Sequence, residues 1–179
     1  TGHLLPGSYL NVGAGSYRPP GPRAGMPYSY EPQYYEDLTE GERFESAGRT
    51  VTETDIGMHS ALTGDWTEVH TNAEYAAGTR FGERIGHGPL TFSLATGLFA
   101  RCGVMERTVV AFLGVDDLHF PRPVHIGDTV SATFEVTGRR ESASRDGAGI
   151  VDFDTSVTND DDEPVLEMTM RFMFSKREA

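Results

Sequence analysis

Apolar and polar residues alternate along three stretches in the C-terminal half of the chain, residues 129–140, 148–158 and 164–175. Alternation with a period of two places apolar side chains on one face of a β-strand and polar side chains on the other. The segments 144–149 and 159–163, rich in glycine and aspartate, separate the stretches and predict hairpin turns. The pattern therefore predicts three antiparallel strands with one buried face and one solvent-exposed face.

A different apolar pattern follows the Gly88-Pro89 step and predicts a helix. Proline suits the first turn of a helix because its φ is already helical and its missing N–H would have had no partner. Gly103 is expected to end the helix. Apolar residues recur around most of its circumference, so we expect burial on most sides. They are Leu90, Phe92, Leu94, Ala95, Leu98 and Phe99.

The remaining pattern predicts two strands and two short helices. They are a first strand within 43–51, a helix over 55–63, a short helix over 73–78 and a β-rich run over 108–120. Thr52 or Thr54 is expected to cap the first of these helices, and Asn72 the second. One buried helix against one antiparallel sheet is an α+β layout.

Length and charge narrow the class of protein. The chain of 179 residues has the length of one domain. Its net charge of −12 and its single lysine, Lys176, leave no basic stripe, so we expect no nucleic-acid partner. No apolar run reaches the roughly 18 residues of a transmembrane helix, so we expect no membrane partner. Without a signal-peptide pattern the expected location is cytoplasmic, and the lone Cys102 is expected to be a buried structural thiol.

Residues 1–33 are rich in glycine, proline, serine and tyrosine and have no sustained period. This composition predicts a flexible leader, or an arm that reaches across a dimer. We therefore expect the folded domain to span residues 34–179. Within the leader, Met26 is a candidate natural initiator.

An acid and a histidine, Asp65 and His70, lie five residues apart in a segment expected to be irregular and to join two helices. On a rigid loop, two such side chains can hold one water and exchange protons with it near neutral pH. The unpaired N–H groups at the helix start, at Gly88, would attract a developing negative charge. Taken singly, each feature has a simpler interpretation: a turn cap, a surface histidine and a chain reversal.

Two motifs together resemble the MaoC-like dehydratase family, whose type member is the (R)-specific enoyl-CoA hydratase. The family carries a G-D-x-N-P-[apolar]-H motif. It is matched here at Gly64, Asp65, Val69 and His70. The family asparagine falls on Thr67 and the family proline on Glu68, so these two positions depart from the motif.

The second family motif, [apolar]-x-H-G, follows about a dozen residues later and is matched here at Ile85, His87 and Gly88. The resemblance extends over about residues 34–175. It implies an α+β hot-dog fold, in which a curved antiparallel sheet wraps a long central helix. It further implies a homodimer or a higher homo-oligomer, with an active-site tunnel at the subunit interface.

The activity that the resemblance implies is the reversible hydration of a trans-2-enoyl thioester to a (3R)-hydroxyacyl thioester. In it, Asp65 and His70 activate water and handle the α-proton, and the N–H of Gly88 forms the oxyanion hole. No metal or redox cofactor is implied, and coenzyme A or an acyl-carrier protein carries the substrate. His87 and Thr96 are candidate substrate-pocket residues, although a hydroxyl on a helix often bonds back to a carbonyl.

Two other functions stay open. The hot-dog fold also hosts acyl-CoA thioesterases, and fold alone does not decide between the reactions. The departures at Thr67 and Glu68 leave room for a non-catalytic subunit that binds acyl thioesters. Arg80, Arg84 and Arg122 are candidates for contacting the phosphates of a coenzyme A or carrier arm, with ordinary solvated arginines as the simpler interpretation.

Overall fold

The structure, a computed structural model, describes residues 31–177, so nearly all of the predicted leader, residues 1–33, lies outside the described residues. Within residues 31–177 the chain forms six strands and four helices. The strands are β1 (Arg43–Glu45), β2 (Arg49–Thr50), β3 (Val109–His119), β4 (Thr129–Glu141), β5 (Ala148–Thr158) and β6 (Pro164–Ser175). The helices are α1 (Glu53–Thr63), α2 (Glu68–Thr71), α3 (Ala73–Ala77) and α4 (Gly88–Arg101).

The six strands form one antiparallel sheet in the order β1-β4-β5-β6-β3, with β2 also paired to β4. Strands β4, β5 and β6 follow one another as hairpins, and their predicted bounds are right to within one residue. Helix α4 packs against β4 in the curve of the sheet. The architecture is the hot-dog fold, as the resemblance implied.

The first strand predicted within 43–51 is present, but it is interrupted and forms two short strands. At the break, the N–H of Ser46 donates to the carbonyl of Ala132, and the Ser46 hydroxyl accepts from the N–H of Ala132, both at 2.9 Å. A side chain thus replaces one backbone bond of the ladder. Gly48 then passes so close to Thr129 that a Cβ would lie 3.0 Å from its methyl group. Two short strands, β1 and β2, result.

Phe99 of α4 lies at the centre of the core. Its ring is fully buried, and its centroid lies 4.7, 4.8 and 5.2 Å from those of Phe134, Phe153 and Phe172. These three rings come from β4, β5 and β6. Aromatic rings at such distances bury large apolar areas and interact favourably edge to face or offset. One side chain therefore fixes the helix on three neighbouring strands.

The opposite face of α4 is exposed in the single chain, so the expectation of burial on most sides is wrong. The exposed residues share one stripe with helical spacing. They are Pro89, Ser93, Gly97 and Ala100. The helix ends at Arg101, and Gly103 follows with a φ of 78°, in agreement with the predicted stop.

Helix α1 begins with a capping box formed by Thr52 and Asp55. The Thr52 hydroxyl accepts from the N–H of Asp55 at 3.3 Å, and the carboxylate accepts from the N–H of Thr52 at 2.8 Å. Burial by itself would raise the pKa of Asp55, but the hydrogen bonds from Thr52 and the Arg49 guanidinium outweigh it and lower the pKa. Thr52 and Thr54 were the two candidate caps for this helix, and Thr52 is therefore confirmed.

The segment before β1 closes the domain beside the end of β6. The N–H of Tyr35 donates to the carbonyl of Ser175 at 3.0 Å, and Arg139 donates to the carbonyl of Tyr35 at 2.8 Å. The Tyr35 ring lies flat over Gly149, where any side chain would overlap it. The two ends of the folded domain thus lie side by side.

Cys102 is half-buried at the end of α4, and its thiol donates to the carbonyl of Leu98 at 3.4 Å. Burial raises the pKa of the thiol, so it stays protonated near neutral pH. The half-buried, neutral thiol fits the structural role predicted for it. Within residues 31–177, no helix combines the length and the apolar character needed to cross a membrane.

We expect Phe99→Ala to lower the free energy of unfolding by about 3–5 kcal/mol, because it removes contacts with three strands and leaves a cavity. Ser93→Ala, on the exposed face of the same helix, is the matched control, with an expected change within about 0.5 kcal/mol. Urea unfolding of both variants measures the difference. A loss for Phe99→Ala no larger than that of the control would contradict the central position of this ring.

Candidate active site

Asp65 lies in the loop after α1, where Gly64 ends the helix in a left-handed conformation with a φ of 79°. Its Oδ1 accepts hydrogen bonds from the Thr67 hydroxyl and from the Thr67 N–H, the latter at 3.1 Å. These two bonds hold the pKa of Asp65 below its ordinary value. Because the residue is also exposed, it is an ionised proton acceptor near neutral pH. Thr67, a departure from the family motif, therefore orients the acid.

His70 lies in the single turn of α2 and not in the irregular segment predicted for it. The turn closes because the N–H of Asn72 donates to the carbonyl of Glu68 at 2.8 Å. The Nδ1 of His70 lies 2.8 Å from the carbonyl oxygen of Ile85. A carbonyl oxygen only accepts, so Nδ1 carries the hydrogen and the Nε2 of the neutral ring holds the lone pair. Nε2 is thus left for proton transfer.

Backbone hydrogen bonds on two sides fix the segment that leads into α4. The N–H of Ile85 donates to the carbonyl of Val69 at 3.3 Å, and the N–H of Gly86 donates to the carbonyl of Val124 at 2.7 Å. Gly88 then begins the helix. Its N–H has no carbonyl one turn earlier to bond within the helix. The start of α4 is therefore held beside α2.

His87 is buried, with 1% of its surface exposed, and it contacts both candidate catalytic residues. Its Nε2 lies 3.1 Å from the backbone carbonyl oxygen of Asp65 and 3.3 Å from the Ser60 hydroxyl. Its ring stacks on that of His70, with centroids 3.7 Å apart and planes 28° apart. Burial lowers the pKa of His87, which favours the neutral ring.

Asp65, His70 and His87 each place one atom able to bind a metal within 4.8 Å of the other two. Two histidines and a carboxylate are a common ligand set for divalent metals. The Nε2 of His87, however, lies 3.1 Å from the backbone carbonyl oxygen of Asp65 and therefore carries a hydrogen, which leaves that nitrogen no lone pair for a metal. The absence of a metal stays a prediction.

Gly88 is crowded by Phe120, the residue that follows β3. A Cβ at position 88 would lie 3.2 Å from two atoms of the Phe120 ring. A side chain here would have to push the ring aside by a few tenths of an ångström, and the ring covers one side of the helix start. Phe120 is itself 43% exposed, so its outer face is open to solvent in the single chain.

Thr96 lies eight residues beyond Gly88 on α4, about 12 Å away at the helical rise per residue. Its hydroxyl donates to the carbonyl of Ser93 at 2.8 Å, which is the local bond of the simpler interpretation. No contact of Thr96 within the described residues joins it to Asp65 or His70. A pocket role for Thr96 stays a prediction.

The candidate phosphate-binding arginines all have contacts within the chain. Arg84 donates to both carboxylate oxygens of Glu53, and Arg122 lies 3.2 Å from Glu163. Arg80 lies over a neighbouring aromatic ring. These contacts favour ordinary surface arginines, and phosphate binding stays a prediction.

Two residues that shape the site, Ser60 and Phe120, were not predicted from the sequence. Ser60 lies 27 residues before its partner His87, and Phe120 comes from beyond β3 to reach Gly88. Contacts between residues so far apart leave no periodic pattern. Ser60 could have been suspected only as a small polar residue on the same face of α1 as Ile56.

Comparison with known proteins places this chain in a family. Residues 37–158, more than half of the chain, match the family model of the MaoC like domain. The chain therefore belongs to the MaoC-like domain family, and the resemblance seen in the two motifs is confirmed.

Relatives and a solved structure agree with this assignment. Protein MaoC of Klebsiella aerogenes is 40% identical over 98 residues, 55% of this chain and 29% of that protein. The (R)-specific enoyl-CoA hydratase of Rhodospirillum rubrum is 37% identical over 105 residues, 59% of this chain and 70% of that protein. The monoamine oxidase regulatory protein from Archaeoglobus fulgius superimposes with a TM-score of 0.75 at 36% identity, over 82% of this chain and 97% of that chain. The match spans less than a third of the Klebsiella protein.

Gly97 is a matched control for Gly88, since a Cβ at position 97 would meet nothing within 4 Å. We expect Gly97→Ala to raise the free energy of unfolding by about 0.5–1 kcal/mol, because alanine restricts the unfolded chain. Gly88→Ala should gain less, because its Cβ meets the Phe120 ring. Urea unfolding measures both, and Phe120→Ala should restore the missing gain. Equal gains at the two glycines would refute the crowding at Gly88.

Proposed function

We propose that this chain is a hydro-lyase that reversibly hydrates a trans-2-enoyl-CoA to a (3R)-hydroxyacyl-CoA. The observation that carries the proposal is that the Asp65 carboxylate, the His70 imidazole and the ring of His87, the N-cap residue of α4, each bring an atom within 4.8 Å of the other two. An ionised acid, a histidine with a free nitrogen and an unpaired N–H at a helix start are the parts that such a reaction needs. The relative from Rhodospirillum rubrum is named for this activity.

In the proposed reaction, Asp65 and the Nε2 of His70 hold one water by hydrogen bonds. The water oxygen bonds to the β-carbon of the enoyl group while one water proton passes to the Asp65–His70 pair. The pair then returns a proton to the α-carbon, and the thioester carbonyl re-forms. The two groups share protons, so the pair and not either residue alone is treated as the acid–base catalyst.

Gly88 supplies the third part of the mechanism. As the water adds, negative charge develops on the thioester oxygen. An N–H at a helix N-terminus stabilises such a charge, because the hydrogen bond and the helix dipole act together. Phe120, which packs against Gly88, excludes solvent from one side of this donor.

The proposed chemistry requires no redox cofactor, because hydration adds and removes no electrons overall. It requires no metal either, since the N–H of Gly88 takes the part of a Lewis acid. Coenzyme A enters as the carrier of the substrate, and an acyl-carrier protein is the other carrier to be tested. Thioester hydrolysis and substrate binding without turnover are the competing outcomes.

We expect Asp65→Asn and His70→Ala each to lower turnover by at least about a hundredfold, because proton transfer by a placed side chain contributes about 10²–10⁴-fold. The loss of the enoyl absorbance band of crotonyl-CoA, and of longer and branched enoyl-CoAs, measures the rate. Circular dichroism verifies that each variant is folded.

Two variants at exposed positions outside the proposed catalytic pair serve as controls for this experiment. Glu68→Gln neutralises an exposed acid near Asp65, and His119→Ala removes an exposed histidine at the end of β3. Both should keep near-wild-type rates. Near-normal turnover in Asp65→Asn or His70→Ala would overturn the catalytic assignment. Release of free thiol would identify a thioesterase, and tight acyl-CoA binding without either reaction would identify a binding subunit.

We also propose that the working form is a homodimer or a larger homo-oligomer. In the single chain Asp65 is open to solvent, whereas proton transfer to carbon is favoured in a site that excludes water. Large apolar side chains are exposed on both sides of it, with Leu62 at 85% and Trp66 at 58%. Strand β3 also leaves one edge without a partner among the described strands. A second copy would cover these surfaces.

Light scattering during gel filtration is expected to give at least twice the 19.6 kDa mass of the chain. If the partner completes the site, the turnover per chain should fall on dilution together with the measured mass. Leu62→Glu places a charge on the exposed apolar surface and should therefore raise the protein concentration below which the dimer dissociates. A monomer with full turnover at every concentration would contradict the proposal.

A further inference from the structure

Three histidine rings from three different parts of the chain form a cluster in which His87 contacts both of the others. The ring of His87 stacks on that of His70 of α2, with centroids 3.7 Å apart, and contacts that of His59 of α1 at 4.6 Å with the planes tilted by 44°. Two imidazoles in contact with a buried third cannot all carry a positive charge, because three neighbouring like charges would repel one another and the buried ring would lose its hydration. At least the central ring is therefore required to stay neutral.

The hydrogen bonds of His87 define which neutral form is present. The backbone carbonyl oxygen of Asp65 lies 3.1 Å from Nε2 and can only accept, so Nε2 carries the hydrogen. The Ser60 hydroxyl, 3.3 Å from the same nitrogen, then accepts as well. The Nδ1 of His87 is buried without a hydrogen-bond partner, and protonating it would bury an unpaired charge.

We propose that His87 is a positioning residue for the reaction. Its neutral imidazole fixes the Asp65 loop through the Nε2–H and supports the His70 ring through the stacking contact. The proposal rests on the function proposed for the site. His87 reaches the acid through the main chain and the histidine through its ring face, and it directly precedes Gly88. One side chain thus joins the three parts of the catalytic arrangement.

Neutrality of His87 matters because the Asp65–His70 pair gains a proton during each turnover, and His70 is the member of the pair that the His87 ring contacts. The titratable groups packed against His87 are His59 from α1, Asp65 from the loop and His70 from α2. A positive charge on His87 would repel a proton on His70 across 3.7 Å. A neutral ring supports His70 without opposing its protonation.

The test separates the Nε2–H donor from the ring stack. His87→Phe keeps an aromatic ring but removes the donor to Asp65, and His87→Gln keeps an N–H at a similar reach but removes the ring. We expect His87→Phe to lower kcat by about 10–100-fold, because a small displacement of an acid costs that much. KM should change by less than about threefold, since no substrate contact is lost. His87→Gln should recover part of the lost kcat.

The matched control is His59→Phe, the same substitution at the other histidine that contacts His87. His59 contacts His87 but has no hydrogen bond to Asp65 in the described part of the chain, so kcat and KM should stay near wild-type values. Rates are compared well below the melting temperature of each variant, so that only folded protein is measured. If His87 had only a structural role, His87→Phe and His59→Phe would lower the melting temperature by similar amounts. Neither variant would then lower kcat while leaving KM unchanged.

A second measurement does not depend on turnover. Ring-nitrogen NMR of the wild type at pH 7 should show His87 as the neutral tautomer with its hydrogen on Nε2. A hydrogen on Nδ1, or a charged ring, would overturn the proposal. If the wild type hydrated no enoyl thioester, the proposed function and with it this catalytic role would fail. If it did and His87→Phe kept full kcat, only the positioning role would fail.

Discussion

Burial of the Phe99 ring among the aromatic side chains of β4, β5 and β6 is the contact on which the rest of the structure depends. A close-packed interior accepts a ring of this size in few positions, so the contact determines where α4 lies along the sheet. The position of Phe99 also determines where the N-terminus of α4 lies, about 16 Å from Phe99 along the helix at the helical rise per residue. The bond from Gly86 to Val124 then fixes that end from the other side. The site therefore depends on core packing and not on the exposed loop alone.

The main chain, more than other side chains, decides the state of the two central histidines. His70 donates from Nδ1 to one backbone carbonyl and His87 from Nε2 to another, so opposite nitrogens carry the lone pairs. A backbone carbonyl only accepts hydrogen bonds, so each carbonyl selects one tautomer of the neutral ring that faces it. Asp65 differs from the two histidines because it accepts hydrogen bonds at two places. Its carboxylate accepts from Thr67, and its backbone carbonyl oxygen accepts from His87. The arrangement combines a buried histidine, His87, and a half-buried one, His70, with an acid that stays in contact with solvent.

The sequence predicted the parts of the fold that carry a period and missed those that depend on single contacts. Strands β4 to β6 were located to within one residue because their alternation is sustained, and Gly88-Pro89 located the start of α4 because proline belongs at that position. The break in the first strand was missed because it depends on one hydroxyl, that of Ser46, taking the place of a backbone acceptor. His70 was expected in a loop, since a helix of one turn is too short to show a period. The motifs named Asp65, His70 and Gly88 as candidates, but the stacking of His87 and the approach of Phe120 are tertiary contacts that no local pattern records.

The hydrogen bond between Tyr35 and Ser175 has a consequence for how this domain can be combined with others. The two ends of the fold, at Tyr35 and Ser175, are hydrogen-bonded to each other. If the domain were inserted into a loop of a host protein, the two ends of that loop would therefore need to be only a few ångströms apart. The domain can thus be carried as an insertion within another polypeptide, or its ends can be joined and new ends opened in a turn such as 159–163. Position 149 sets the condition for either rearrangement: it has to stay glycine, so that Tyr35 can keep the entrance and the exit of the chain together.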